Sequence, residues 1–138
     1  GIQLKQDHLQ DISGVLFKDE KNEWRIVVNQ DDSPARKLFT VAHELGHYFL
    51  HREENTKFVD SQFVSSCWKR DEAEKLAIKE IEANEFAGSL IMPKFIIEKE
   101  CGKITGVVRK EKKEELAEKF GVSLLAMITR LKNLGYEV

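Results

Sequence analysis

The residues best able to do chemistry stand together between Leu38 and Leu50, in the run L-F-T-V-A-H-E-L-G-H-Y-F-L. It contains the pattern H-E-x-x-H as His43, Glu44 and His47. Four residues apart on a helix, the two imidazoles share a face about one turn from each other, so both can reach a single metal ion. The glutamate between them then points beside the ion, where a carboxylate can take a proton from a bound water. The pattern alone leaves a plain structural reading open, because paired histidines on helices also occur without metal. Two features of the chain favour the metal: no cysteine cluster competes for it, and the surrounding residues are strongly apolar. Phe39, Val41, Ala42, Leu45, Phe49 and Leu50 are expected to bury the helix and hold the ligands rigid. Gly46 costs helix stability relative to alanine, which a close approach by another backbone would explain.

A third ligand is expected from a second helix, read over Asp71 to Ile91 from its acidic opening and the stop before Pro93. At about 100° per residue, Ala73, Leu76, Ala77, Ala83, Ala87 and Ile91 fall on one arc, with Glu80 and Asn84 near its centre. Glu82 and Glu85 project elsewhere. A carboxylate in the middle of a buried face of small residues is costly unless it is paired or binds metal. An ion pair is the structural alternative for Glu80, but the nearby basic residues lie on the solvent arc. Glu82 is the alternative ligand if the helical phase is shifted.

Two histidines and a glutamate, with a fourth position left to water, make a catalytic zinc set, so one Zn2+ ion is the expected cofactor. Manganese or iron would fit the same donors. Asn84, one turn after Glu80, is placed to hydrogen-bond a ligand histidine. Glu44 is the expected base, removing a proton from water and returning it to the leaving amine. The oxyanion of the reaction needs a further donor, for which Tyr48, His51 and a residue of the 52–70 segment are the candidates. His51 also reads as a helix-end residue supporting a ligand.

The elements that must hold these groups follow from the remaining pattern. Ile12 to Asn29 reads as a β-hairpin around K-D-E-K-N-E, with a weaker strand near Ile2 to Lys5. Ser33 before Pro34 suits a helix start, placing the first long helix at Pro34 to His51. Arg52 to Arg70 is less regular, with Phe58, Val59, Phe63, Val64 and Trp68 among polar residues, giving either a short strand or an ordered loop; it is expected either to flank the cleft or to form a satellite patch of core. A peptide substrate is expected to add as a strand beside Trp24 to Asn29. Beyond Pro93, a short helix at Lys94 to Glu100 precedes the turn-rich C-G-K-I-T-G. Glu114 to Phe120, G-V-S and Leu124 to Leu134 then have helix-turn-helix spacing, with Gly121 at the turn and Ser123 as cap.

Bulk properties narrow the partners. The chain has 138 residues and a net charge of −2, from 22 basic and 24 acidic residues, which calls for neither nucleic acid nor an anionic membrane. At the start of the last helix Leu124, Leu125 and Ala126 replace the polar side chains that base contact needs, so direct DNA binding is disfavoured against packing or docking. Cys67 and Cys101 show no metal or disulfide spacing, and no apolar run is long enough to span a bilayer, so a cytoplasmic setting and no membrane partner are expected. Two parts are expected, residues 1–100 as the catalytic core and residues 101–138 as a helical extension packed on it. Oligomeric state is not fixed by the sequence.

Three stretches resemble the ImmA/IrrE family of zinc metallopeptidases: I-V-V-N-Q, R-K-L-F-T-V-A-H-E-L-G-H-Y-F-L-H and E-I-E-A-N-E-F-A-G-S-L-I-M-P. The similarity is specific from Ile12 to Pro93 and looser to the end. It implies an α+β, zincin-like fold with a small antiparallel sheet, the H-E-x-x-H helix, a second ligand helix and a C-terminal helix-turn-helix-like segment. It implies ligands at His43, His47 and Glu80 and a base at Glu44. It also implies a protein substrate, a helix-turn-helix repressor whose cleavage induces mobile-element or stress genes; the competing expectation is a non-catalytic metal-binding module that senses or sequesters a repressor. Family members often begin with a further helix, so the chain is expected to be a shortened form.

Overall fold

The computed structural model describes residues 1–61 and 70–138. Four strands form one sheet: β1 (Gln3–Asp7), β2 (Ile12–Lys18), β3 (Trp24–Asn29) and β4 (Lys57–Ser61), in the spatial order β1-β3-β2-β4. The hairpin is the antiparallel β2–β3 pair, with Leu16 opposite Ile26 and Gly14 opposite Val28. Its turn is organised by Asp19, whose carboxylate accepts from the backbone N–H of Lys21 and Glu23 and from Arg25.

Two details depart from expectation. The early strand is β1, and it pairs parallel to β3, so the sheet is mixed rather than wholly antiparallel. Residues 8–11 step over the β3 position, and the buried Asn29 fixes this step by donating to the carbonyls of Leu9 and Ile12 at 2.9 and 3.1 Å. Consequently β3 has neighbours on both sides, and no peptide can add beside Trp24 to Asn29. On the other side of the sheet the outer strand among the described residues is β4.

Helix α1 (Pro34–His51) begins where predicted, with Ser33 Oγ accepting from the Arg36 N–H at 3.2 Å. Val41, Leu45 and Tyr48 press on a sheet core of Leu16, Ile26, Val28 and Phe58. The neighbouring face, Ala42, His43, Gly46 and His47, is buried and turns to α2 (Arg70–Ile91). Phe49 and Leu50 fall on the remaining third of the helix circumference and are exposed, 60 and 49 %, contrary to the expectation that they bury it. On α2, Ala83 and Ala87 are fully buried while Ala77 is exposed, so the small-residue face is narrower than predicted.

The close approach inferred from Gly46 is present. A Cβ there would stand 3.0 Å from Ala83 Cα and 3.1 Å from its carbonyl oxygen, both backbone atoms that cannot step aside. Gly46→Ala is therefore expected to destabilise the fold by roughly 1–3 kcal/mol of overpacking, even after the about 1 kcal/mol that alanine gains in a helix. Urea denaturation measures this, and a variant as stable as the parent would remove the close-approach explanation.

The end of α2 leads into α3 (Lys94–Cys101), α4 (Lys110–Phe120) and α5 (Leu124–Asn133). Met92, Ile97, Cys101, Val108, Leu116, Met127 and Leu131 form their shared core. Gly121 closes α4 in the left-handed region, φ 67°, and Ser123 caps α5 through the Ala126 N–H. The charged residues ahead of Glu114 are the first turn of α4. No helix among the described residues is long and apolar enough to cross a membrane.

Candidate metal centre

Helices α1 and α2 run past each other so that their inward polar residues interleave. His43 Nε2 lies 3.0 Å from Glu80 Oε2, His47 Nε2 lies 2.9 Å from Glu80 Oε1, and the two Nε2 atoms are 3.1 Å apart. Three donors from two elements thus form a triangle with edges near 3 Å. Donors at about 2.0–2.1 Å from a tetrahedral zinc stand only slightly farther apart, about 3.4 Å, so a small outward shift of each would admit the ion. Both imidazoles are buried, while the Glu80 side chain is 35 % exposed, leaving one side of the triangle open to solvent. Glu82 is turned away, 3.8 Å from His51, so the phase read from the α2 pattern selects the residue that the fold brings to the histidines.

Each imidazole is held from behind. His43 Nδ1 is 2.8 Å from Asn84 Oδ1; an amide oxygen only accepts, so Nδ1 carries the proton and the ring's Nε2 faces the triangle. His47 Nδ1 is 3.0 Å from His51 Nδ1, and Phe58 of β4 stacks on the His47 ring at 4.6 Å. His51 is therefore behind a histidine of the triangle, on the side away from Nε2, and is no oxyanion donor. Tyr48 is occupied on the sheet side, edge-on to Trp24 at 5.8 Å and beneath the Arg52 guanidinium at 4.6 Å. Of the 52–70 segment, Phe63, Val64, Cys67 and Trp68 lie outside the described residues.

Glu44 is fully buried, and neither carboxylate oxygen has a hydrogen-bond partner among the described residues. Burial raises its pKa to about 8; the charge of His43 opposes this, and those of Asp60 and Glu80 add to it. A buried carboxylate without a donor is costly, and a cation beside it, with a water between, relieves that cost. Burial alone would also push Glu80 up, but the hydrogen bonds and charges of His43 and His47 bring it down to about 2. For His43, burial acts downward and is outweighed by the Glu80 hydrogen bond and by the charges of Glu80, Glu44 and Asp60, so the net shift is upward. Anionic Glu80 facing imidazoles, with Glu44 set aside, is a donor set that fits a divalent ion.

Asp60 is the functional-site neighbour that sequence reasoning missed. Its carboxylate lies within 4.8 Å of the ligand-type atoms of both His43 and Glu44. Arg36 of α1 holds it at 3.3 Å and also bonds Ser13 Oγ, tying α1, β2 and β4 together at the centre's edge. The signal was slight: in a strand Phe58 and Asp60 share a face, but the pattern reads equally as a short strand or an ordered loop, and only the strand, β4, puts Asp60 there.

A model of the peptidase M78 family, described as the IrrE N-terminal-like domain, matches residues 1–132. The chain belongs to the M78 peptidase family. Among curated relatives, it is 28 % identical to metallopeptidase ImmA of Bacillus subtilis (strain 168) over 135 residues, covering 97 % of this chain and 71 % of that protein. It is 33 % identical over 87 residues to a protein of Bacillus phage phi105 named uncharacterized immunity region protein 2, covering 63 % of this chain. That match spans about half of the phage protein, 49 %. The M78 assignment agrees with the α+β, zincin-like architecture and with a metal-dependent peptidase as the general class.

If the Asn84 amide orients His43 for a metal, Asn84→Ala is expected to weaken zinc binding about ten- to a hundredfold while leaving the fold intact, because Asn84 is on the exposed rim. Calorimetric zinc titration of the two proteins measures this. Equal affinities would reduce the contact to incidental packing.

Proposed function

We propose that this M78 member is a zinc-dependent endopeptidase that cleaves a protein inside the cell, a helix-turn-helix repressor, and so derepresses mobile-element or stress genes. The observation that carries the reading is the convergence of His43, His47 and Glu80 beside a fully buried Glu44 with no hydrogen-bond partner among the described residues. In this reading His43, His47 and Glu80 hold one zinc ion, and Asn84 and His51 fix the ring orientations. The ion, when bound, supplies a Lewis acid that polarises the scissile carbonyl and acidifies water.

Glu44 takes the proton of the attacking water as its oxygen bonds to the carbonyl carbon. The same carboxyl then returns that proton to the nitrogen as the C–N bond breaks. Its burial excludes competing solvent. The outer edge of β4, unpaired among the described residues and bearing Asp60 beside His43 and Glu44, offers backbone groups to an extended segment of substrate, in place of β3. The repressor as substrate is supported by the names of the relatives, one a metallopeptidase and one an immunity-region protein of a phage.

Co-expression with a repressor encoded beside the gene, followed by mass spectrometry of its fragments, tests the reading. A discrete pair of fragments, lost when His43 is replaced, is the expected result. A bound but intact repressor would make the protein a sequestering module instead.

A further inference from the structure

Ala83, packed on Gly46, divides the face that α2 turns to α1 into two stripes. On one side Glu80 and Asn84 run toward His43 and His47. On the other, Lys79, Glu82 and Phe86 stand three and four residues apart on one face and meet the C-terminal end of α1. Lys79 pairs with Glu54 at 2.8 Å, Glu82 Oε1 lies 3.8 Å from His51 Nε2, and the Phe86 ring is 5.8 Å from that of Phe49. The second stripe thus brings a further carboxylate to the last histidine of α1, outside the ligand triangle.

The protons of the His47–His51 pair give that carboxylate a task. The two Nδ1 atoms are 3.0 Å apart in a buried contact, so one carries the hydrogen and the other accepts it. A neutral ring that offers a bare Nε2 to an ion has its proton on Nδ1; His47 must therefore donate and His51 accept. The proton of His51 is then on its own Nε2. That atom is buried and has no hydrogen-bond partner among the described residues. A buried N–H left without an acceptor is costly. Glu54 is engaged by Lys79, whereas Glu82 is half-exposed on a flexible stem, and closing the 3.8 Å gap by about 1 Å makes a charge-assisted bond of about 2.8 Å.

The reverse arrangement is also available to the pair. In it His51 donates from Nδ1, His47 accepts there, and the His47 proton sits on Nε2, facing Glu80 Oε1 at 2.9 Å and closing the triangle to a cation. Two carboxylates thus pull the two imidazoles in opposite directions, Glu80 toward the form that refuses an ion and Glu82 toward the form that accepts one. We propose that Glu82 is a positioning residue of the metal centre: by accepting from His51 Nε2 it holds His51 as the acceptor of His47 and so keeps His47 Nε2 bare for the ion. The inference rests on the reading of His43, His47 and Glu80 as the ligand set. It gives a role to the glutamate of α2 that the triangle leaves out.

Two measurements on the full chain test it. In the first, heteronuclear NMR of the histidine ring nitrogens reads the tautomer of His51 in the metal-free protein. The Nε2–H form is expected in the parent and the Nδ1–H form in Glu82→Ala. Glu82→Gln, whose amide oxygen still accepts, should keep the Nε2–H form. The Glu82 side chain is half-exposed, so neither replacement empties a core position. An Nδ1–H ring in the parent, or an Nε2–H ring that persists in Glu82→Ala, would overturn the role of Glu82.

In the second, zinc affinity is measured by calorimetric competition with a chelator. Glu82→Ala is expected to bind about ten- to a hundredfold more weakly, the usual effect of losing a group that orients a ligand. Glu82→Gln should recover most of that loss, and Glu85→Ala, which removes an exposed carboxylate from the same helix, should bind as the parent does. Parental affinity in Glu82→Ala, or an equal loss in Glu85→Ala, would overturn the role of Glu82 while leaving the ligand set intact. A parent that binds no zinc, with the His51 tautomers as expected, would instead overturn the ligand set.

Discussion

Glu44→Gln is expected to retain zinc and to lose cleavage by roughly a thousandfold or more, the amount general acid–base catalysis contributes at the upper part of its usual range. The substitution keeps the shape of the side chain and leaves His43, His47 and Glu80 untouched, so the ligand triangle survives. What disappears is a carboxylate able to accept the water's proton from the buried side of the centre, since both Glu44 oxygens are sequestered and unpartnered among the described residues. Glutamine's amide can donate or accept a hydrogen bond but cannot carry the proton across to the leaving nitrogen. Metal content by plasma emission and initial rates on the cleaved repressor, measured on one preparation, separate the two effects. A variant that still cuts at the parental rate would remove Glu44 from the reaction; one that arrives without zinc would show that it supports the ligands instead.

How much of this was legible in the sequence depends on the range over which each signal acts. His43, Glu44 and His47 were legible because a helix fixes the relation of residues four apart, and Ser33-Pro34 marked where that helix starts. Glu80 and Asn84 followed from the same periodicity, with alanines marking the buried face. The partnership across the two helices could be guessed only because both faces carried polar atoms that needed an explanation. By contrast, the parallel pairing of β1 to β3 depends on which slot a four-residue connection skips, a tertiary choice with no local signature. It covers β3 and leaves β1 and β4 as the outer strands among the described residues, and so changes where a substrate could pair. Asp60 went unread for a similar reason, since its importance lies in distances to residues 43 and 44 that no short window contains. The exposure of Phe49 and Leu50 shows the opposite failure, an apolar pair counted as core when two faces of α1 were already filled.

Removal of the metal should expose a pH dependence of stability that the centre otherwise hides. Glu44 has a folded-state pKa of about 8 against 4.5 for the ordinary side chain, chiefly because it is buried. Between those values the folded chain holds a proton there that the unfolded chain releases, so stability falls as pH rises. His43, raised on balance by Glu80, acts in the same direction: its contribution is present below its unfolded value and is lost as pH climbs through the folded one. His51 is lowered, by burial and then by the charge of His47, so its contribution runs the other way but is complete by about pH 6.5. Glu80, lowered to about 2, matters only in acid, where protonation would remove its stabilising contacts. The clean window is therefore pH 6.5 to 8, over which the metal-free protein is expected to lose about 2 kcal/mol, the value of a proton retained over that interval at about 1.4 kcal/mol per pH unit. Urea denaturation in the presence of chelator at several pH values in that window gives the slope directly. Glu44→Gln, with nothing to ionise, should show only the shallower His43 share and be the more stable protein at pH 8. A slope shared equally by parent and variant would mean that the cost of the buried carboxylate is met elsewhere.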